Sequence, residues 1–227
     1  MRFVIVSCIW KRPQLTEIFL KYYKKMADDL KDKHQLILLA VGSEGEFSKS
    51  LCLQNNFHYI EHPNKPLSQK WNVAVKASKE FNPDAIIILG SDDFVSKNLF
   101  DVYAIKIFNN NSVIGLKDMY ILDSNLNKLF YWSGYSKNIE PGRHKETIGM
   151  ARCINRIVLD KLEFDIWGGV YANSSMDSYM SKKFLSVGID FENNLNVING
   201  KKYSWNHKGY LMEELNVTCI DVKTTIN

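Results

Sequence analysis

The chain has 227 residues, 45% of them apolar and 24% charged, and a net charge of +4. That is the length of one large domain, or a domain with a modest appendage, with an ordinary globular composition and enough residues for a substantial core. So mild a charge permits anionic ligands such as nucleotides or nucleic acid without demanding them, and no apolar run approaches the roughly 20 residues of a membrane span.

Phe3 to Ile9 reads as a strand entered directly from Met1, with no small-residue cleavage site of a signal peptide after it. The expectation is a cytoplasmic protein without stable membrane insertion. Pro13 sits at a helix start, where its missing N–H costs nothing. Leu15, Ile18, Phe19, Tyr22, Tyr23 and Met26 give that helix one apolar face. Gln35 to Val41 is a second strand, Phe47 to Asn55 a helix, and Phe57 to Ile60 a short strand. Ser68 is expected to cap a helix carrying Trp71, Ala74, Val75, Ser78 and Phe81. The apolar run Ala85 to Leu89 is a buried strand that ends at Gly90-Ser91 and delivers Asp92 and Asp93. Strands separated by helices of this length imply a mostly parallel sheet covered on both faces.

After about residue 111 the pattern changes. Ser112 to Leu122 and Lys128 to Trp132 read as a hairpin or meander around Asp123-Ser124-Asn125. A loop rich in glycine, proline and charge spans Gly134 to Thr147. A short helix (Asn155 to Leu162), a Gly168-Gly169 turn and a helix from Met176 to Val187 follow, and Leu195 to Asn227 is strand and loop. The expected organisation is one domain over 1–227, with 1–110 the nucleotide-binding half and 111–227 the acceptor-side half. The cysteines Cys8, Cys52, Cys153 and Cys219 are widely separated, with no CxxC pair or His/Cys cluster, so reduced core thiols are expected.

Several positions offer chemistry, each beside a plainer reading. Asp92 and Asp93 lie where ligands bind in open α/β sheets, and their hard oxygens suit Mg²⁺ or Mn²⁺; alternatively they cap a turn. Arg12 adds charge to the first helix N-terminus, an anion-friendly place, and Trp10 suits stacking on a base or packing on the sheet. Ser43 or Glu44 suits a nucleobase or ribose, or an exposed polar turn. Lys70 and Asn72 suit a diphosphate or ribose, or a solvated helix face. Asp177 in a first helical turn complements the dipole or serves as a general base. His207 suits a metal ligand or a loop histidine.

In order, these segments resemble the inverting GT-A glycosyltransferases, particularly the glycosyltransferase family 2 type. Phe3 to Pro13 looks like that family's opening strand and turn, and Leu67 to Ala77, with Trp71-Asn72-Val73-Ala74, like its helix with an Ala-Arg-Asn-x-Gly-like core. Ile86 to Asp93 is similar to the strand ending in an acidic metal motif, with Gly90 in the place of the first acid. Ser175 to Met180, then Lys182-Lys183-Phe184 and Gly188, is similar to the helix carrying the catalytic base, with Met176 in place of its first acid. Gly149-Met150-Ala151-Arg152, then Arg156, resembles the arginine-bearing region before the acceptor loop. The likeness covers roughly residues 3–190.

The resemblance implies a GT-A, Rossmann-like, mostly parallel sheet flanked by helices, with a smaller mixed β/α acceptor-side region. It implies a hexosyl- or pentosyltransferase that moves a sugar from a nucleoside-diphosphate sugar, a UDP-sugar first among them, to an acceptor hydroxyl with inversion. Asp93, with Asp92 and His207, would hold Mn²⁺ or Mg²⁺ on the diphosphate. Asp177 would deprotonate the acceptor. Trp10, Arg12, Glu44, Lys70, Asn72 and Arg152 would contact the donor, or in the case of Arg152 the acceptor. The loop Gly134 to Thr147, with Arg143, His144 and Lys145, is expected to order as a lid. The acceptor is a glycan, lipid-linked sugar or protein, or a hydroxymethylated DNA base, which Trp132, Tyr135, Lys137, Arg143 and Lys145 would suit. Two alternatives share the scaffold. One is a sugar nucleotidyltransferase, against which stands the absence of glycine in Ser7 to Arg12. The other is a non-catalytic nucleotide-sugar-binding module.

Overall fold

The computed structural model describes residues 1–136, 138, 143, 145–191 and 195–225. The first half is a run of βα units: β1 (Arg2–Cys8), α1 (Pro13–Leu30), β2 (Gln35–Gly42), α2 (Glu46–Gln54), β3 (His58–Glu61), α3 (Leu67–Ser78) and β4 (Ala85–Ile88). β1 pairs in parallel with β2 on one side and β4 on the other, and β2 pairs in parallel with β3. The chain therefore steps outward from β1 to β3, then crosses back over β1 to place β4. Side chains alternate across the sheet. Phe3 and Ile5 pack with Phe19, Leu20 and Tyr23 of α1, whereas Val4 and Val6 pack with Ala74 and Val75 of α3. Both faces of β1 are covered, which is why it reads as an unbroken apolar run.

The second half supplies β5 (Asp93–Val95), α4 (Asn98–Phe108), β6 (Asn111–Leu116), β7 (Met119–Asp123), β8 (Lys128–Trp132), β9 (Arg152–Asn155), α5 (Arg156–Lys161), α6 (Met176–Leu185), β10 (Leu195–Ile198), β11 (Lys201–Tyr210), α7 (Met212–Leu215) and β12 (Cys219–Lys223). The main sheet has the order β10-β11-β6-β9-β4-β1-β2-β3, and a four-stranded sheet has the order β5-β12-β7-β8. β9 runs antiparallel to both β4 and β6. The result is a mixed α/β, Rossmann-like architecture. No helix among the described residues is long and apolar enough to cross a membrane.

Four sequence expectations need correcting. Ser112 to Leu122 is two strands in different sheets, because the chain leaves the main sheet at Lys117-Asp118. There the buried Asp118 accepts the Met212 N–H (2.8 Å) and the Tyr131 hydroxyl (2.9 Å). Ser68 does not cap α3, which starts at Leu67 after Pro66. Its hydroxyl instead donates to the Val170 carbonyl at 2.6 Å. Residues 152–155, where the sequence pattern predicts no strand and starts a helix at Asn155, are a fully buried strand. The C-terminal segment holds the short helix α7 as well as strands. The hairpin about Ser124 is present as β7 and β8, and Asn155 caps α5 through its Oδ1 and the Ile157 N–H (3.1 Å). All four cysteines are free thiols, three of them buried.

Candidate active site

The C-terminal ends of β1 and β4 form the crevice where the connections reverse direction, the usual ligand position in an open α/β sheet. Beyond β4 the backbone turns tightly: the Gly90 N–H donates to Asp93 Oδ2 (2.5 Å) and the Asp93 N–H to the Gly90 carbonyl (3.1 Å). A Cβ on Gly90 would lie 2.8 Å from Asp92 Oδ1 and 3.0 Å from Asp93 Oδ2. The residue that departs from the acidic motif is thus the one that lets its two carboxylates close over the turn.

A third acid joins them. β5 pairs antiparallel with β12 in a register that sets Asp221 opposite Asp93, and the Val222 N–H donates to the Asp92 carbonyl at 2.9 Å. Asp92, Asp93 and Asp221 each present a carboxylate oxygen within 4.8 Å of the other two. Burial, then the charges of Asp92 and Asp221, push the Asp93 carboxyl well above the usual range. Burial likewise raises Asp221, against the opposing pull of Lys223. Asp221 Oδ1 is buried and accepts no hydrogen bond from the described residues. Three converging carboxylates, one of which also has an orphaned buried oxygen, fit a hard divalent cation.

Cations line the same place. Arg12 Nη1 is 2.8 Å from Asp92 Oδ2 and its Nη2 donates to Ser91 Oγ (2.9 Å). Lys223 Nζ is 2.6 Å from Asp221 Oδ2. Lys11 and Arg12 both adopt positive φ (54° and 50°), a left-handed conformation that costs non-glycine residues about 1–3 kcal/mol each and tends to persist at functional sites. Above the acids lies a cavity of about 570 Å³ walled by Trp10, Lys11, Arg12, Lys65, Lys70 and Trp71, with Asp92 and Lys223 at its base. Lys70 is fully buried, and its ammonium donates to the Ile9 carbonyl (2.6 Å) and Asn64 Oδ1 (3.1 Å), with no ion-paired carboxylate among the described residues. Burial lowers its pKa. A volume of this size suits a small-molecule ligand, and the lining suits an anionic one.

A separate carboxylate stands at the same end of the sheet. The register Ile88↔Arg152 brings Arg152 beside the last residue of β4, and Arg152 Nη1 is 3.7 Å from Asp177 Oδ1 in the first turn of α6. Arg152 has no exposed surface. It donates to Thr147 Oγ1 (3.0 Å) and to the carbonyls of Thr147 (2.7 Å) and Ile148 (3.2 Å). Gly149 faces Asp177 so closely that a Cβ there would collide with Asp177 Oδ1. The Asp177 side chain retains 30% of its surface, so it is held by the fold yet reachable.

The sequence-derived candidates separate into groups. Trp10, Arg12, Lys70 and Asp92 line the cavity and Asp93 underlies it. Glu44 accepts the Lys11 N–H (2.9 Å) and so borders the wall without lining it. Asn72 points elsewhere, with its Nδ2 on Asp165 Oδ1 (2.7 Å) and its Oδ1 on the Trp167 N–H (2.9 Å); two residues along a helix, it cannot share the direction of Lys70. Arg152 lies buried beside Asp177 and does not line the cavity. His207 is not in the carboxylate group: β11 lies three strands from β4, roughly 14 Å at ordinary spacing. Its Nε2 meets Thr147 Oγ1 at 2.6 Å, and its ring stacks on Phe191. Asp221, which takes the third place, was missed because a lone acid in a short alternating strand carries no motif. Of the expected lid, residues 137, 139–142 and 144 lie outside the described residues, and Arg143 pairs with Glu146 (3.0 Å) and covers the Tyr135 ring.

No protein-family model matches the sequence, and no curated protein matches it significantly. Solved structures do match. S. aureus TarS 1–349 aligns over 99% of this chain and 58% of that one, at 12% identity and a TM-score of 0.53. The same fragment in complex with UDP aligns over 94% of this chain and 62% of that one, at 14% identity and a TM-score of 0.53. A further TarS structure gives 14% identity and a TM-score of 0.50, covering 99% of this chain and 35% of that one. The chain thus spans about three fifths of the two fragments, and at such identities the likeness concerns the fold. The reversal at β1 and β4, the helices on both faces and these structural matches together identify the fold as GT-A-like.

Proposed function

We propose that the chain is an inverting, metal-dependent glycosyltransferase that takes a nucleoside-diphosphate sugar as donor. The observation that carries this reading is one cavity walled by cations, with Asp92 at its base as one of a group of three carboxylates, and a fourth carboxylate on a separate element at the same end of the sheet. The first group suits a diphosphate and its counter-ion, the second an acceptor hydroxyl. A divalent ion held by Asp92, Asp93 and Asp221 would neutralise charge on the leaving diphosphate. Arg12, Lys65 and Lys70 add fixed positive potential along the cavity wall. Asp177, oriented by Arg152, takes the proton of the acceptor hydroxyl as its oxygen attacks the anomeric carbon. The bond from that carbon to the diphosphate breaks on the opposite side, and the nucleoside diphosphate departs. A single base serves this displacement, in contrast to the carboxylate pair of a glycoside hydrolase. The likeness in fold to TarS, one structure of which contains UDP, makes UDP-sugars the first donors to test.

The test is nucleoside diphosphate release from a panel of nucleotide-sugars with Mn²⁺, using glycans and hydroxymethylated DNA as acceptors. Asp93→Ala is expected to abolish release, and Asp177→Asn to lower acceptor-dependent turnover by about 10²- to 10⁴-fold while nucleotide still binds. Turnover that survives Asp93→Ala removes the metal assignment. Release of pyrophosphate in place of nucleoside diphosphate would identify nucleotidyl transfer.

A further inference from the structure

Lys223 occupies an unusual place for a lysine. Asp221 and Lys223 alternate onto one face of β12, and the ammonium rests 2.6 Å from Asp221 Oδ2 and 4.0 Å from Asp92 Oδ2. Those are two of the three carboxylates presented to a cation. Its backbone is pinned: the Lys223 carbonyl accepts the Ser124 N–H (3.0 Å) and hydroxyl (2.8 Å). Its side chain is not, since 43% of it is exposed and it borders the cavity. Lys70 offers the contrast, being fully buried and fixed by Ile9 and Asn64.

We infer that Lys223 is an exchangeable counter-ion, which a divalent cation displaces from Asp221 and Asp92 and which then turns into the cavity to meet the donor's diphosphate. The inference rests on reading the cavity as a nucleoside-diphosphate site. Asp92 already carries the dispersed charge of Arg12, which Ser91 also holds, but a divalent ion on Asp221 would strongly repel the compact ammonium 2.6 Å from that carboxylate, so metal entry favours release of the lysine. A lysine is suited to the exchange, because its compact charge rides on a flexible four-carbon stem. The displaced ammonium has the cavity on its open side, where Arg12, Lys65 and Lys70 already favour an anion. Metal entry therefore adds a cation to the diphosphate pocket, and by linkage each ligand strengthens the other equally.

Calorimetric titration of Mn²⁺ alone, UDP alone and UDP at saturating Mn²⁺ tests this on the wild-type chain and the K223M and K223R variants. The wild-type chain is expected to bind UDP about tenfold more tightly with Mn²⁺ than without. K223M, lacking the competing charge, is expected to bind Mn²⁺ alone about tenfold more tightly and to bind UDP at saturating Mn²⁺ several-fold more weakly. K223R keeps a cation on the strand and retains the coupling, which separates loss of charge from loss of fold. Mn²⁺ and UDP affinities in K223M equal to wild type would overturn the exchange while leaving the nucleotide site standing. A wild-type chain that binds no nucleoside diphosphate would overturn the site reading, and the exchange with it.

Discussion

Glycine at two positions is set by the carboxylates that crowd it. At Gly90 the turn closes Asp92 and Asp93 against the backbone, and at Gly149 the open Cα face receives Asp177. Neither glycine has a positive φ, so the reason is space rather than backbone freedom. Gly149→Ala should displace Asp177 and little else. The expected outcome is a fall in acceptor-dependent kcat of about 10²-fold with UDP affinity unchanged, since an error of about 1 Å in a reacting group costs that much. Steady-state kinetics paired with a UDP titration checks it, and an unaltered kcat would take Asp177 out of the reaction. Asp92 and Asp93 were legible in the sequence because they are adjacent and follow an apolar run. Asp221 and the support given by Arg152 were not, because both depend on partners more than 20 residues away.

Among the elements, β12 changes the picture most. It pairs antiparallel with β5 and parallel with β7, and so carries one acid and one lysine to the base of the cavity. A strand of five residues in a small sheet has weak periodicity, which is why the C-terminal segment read only as strand and loop. The small sheet is tied to α7 through Asp118, a residue only 3% exposed whose carboxylate is bonded to Met212 and Tyr131. Asp118→Ala leaves the buried Met212 N–H without its acceptor. The expected loss is about 1–3 kcal/mol, read as a lower urea midpoint with the same dependence on denaturant. A midpoint equal to wild type would show that water replaces the carboxylate at no cost.

Across the whole molecule, stability in acid should depend on His207. Burial, and then the charge of Arg152, hold its imidazole well below the ordinary histidine range. The unfolded chain takes up that proton first, near pH 6.5, so the stabilisation is complete above that pH and is lost as the pH falls toward the folded value. Asp93 and Asp221 act in the opposite sense. Their raised values make the folded state hold protons longer, so their share of stability falls as the pH rises above the ordinary carboxylate range. The difference between wild type and His207→Gln isolates the histidine. Between pH 6.5 and 5 the variant should lose less stability, by up to about 1.4 kcal/mol per pH unit, in urea unfolding series at each pH. Parallel losses in the two proteins would mean that His207 titrates normally.

The sequence by itself determined the parallel βα half, because hydrophobic periodicity and the Pro13 and Gly90 punctuation are local properties of the chain. It also placed Asp92, Asp93 and Asp177 as acids at element ends. Only the tertiary structure decided which groups share a cavity. Strand order removed His207 from the carboxylates, helix geometry turned Asn72 away from Lys70, and antiparallel pairing brought Asp221 and Lys223 to Asp93. The physical reason is that register and strand order are fixed by contacts between segments far apart in sequence, and no local pattern encodes them.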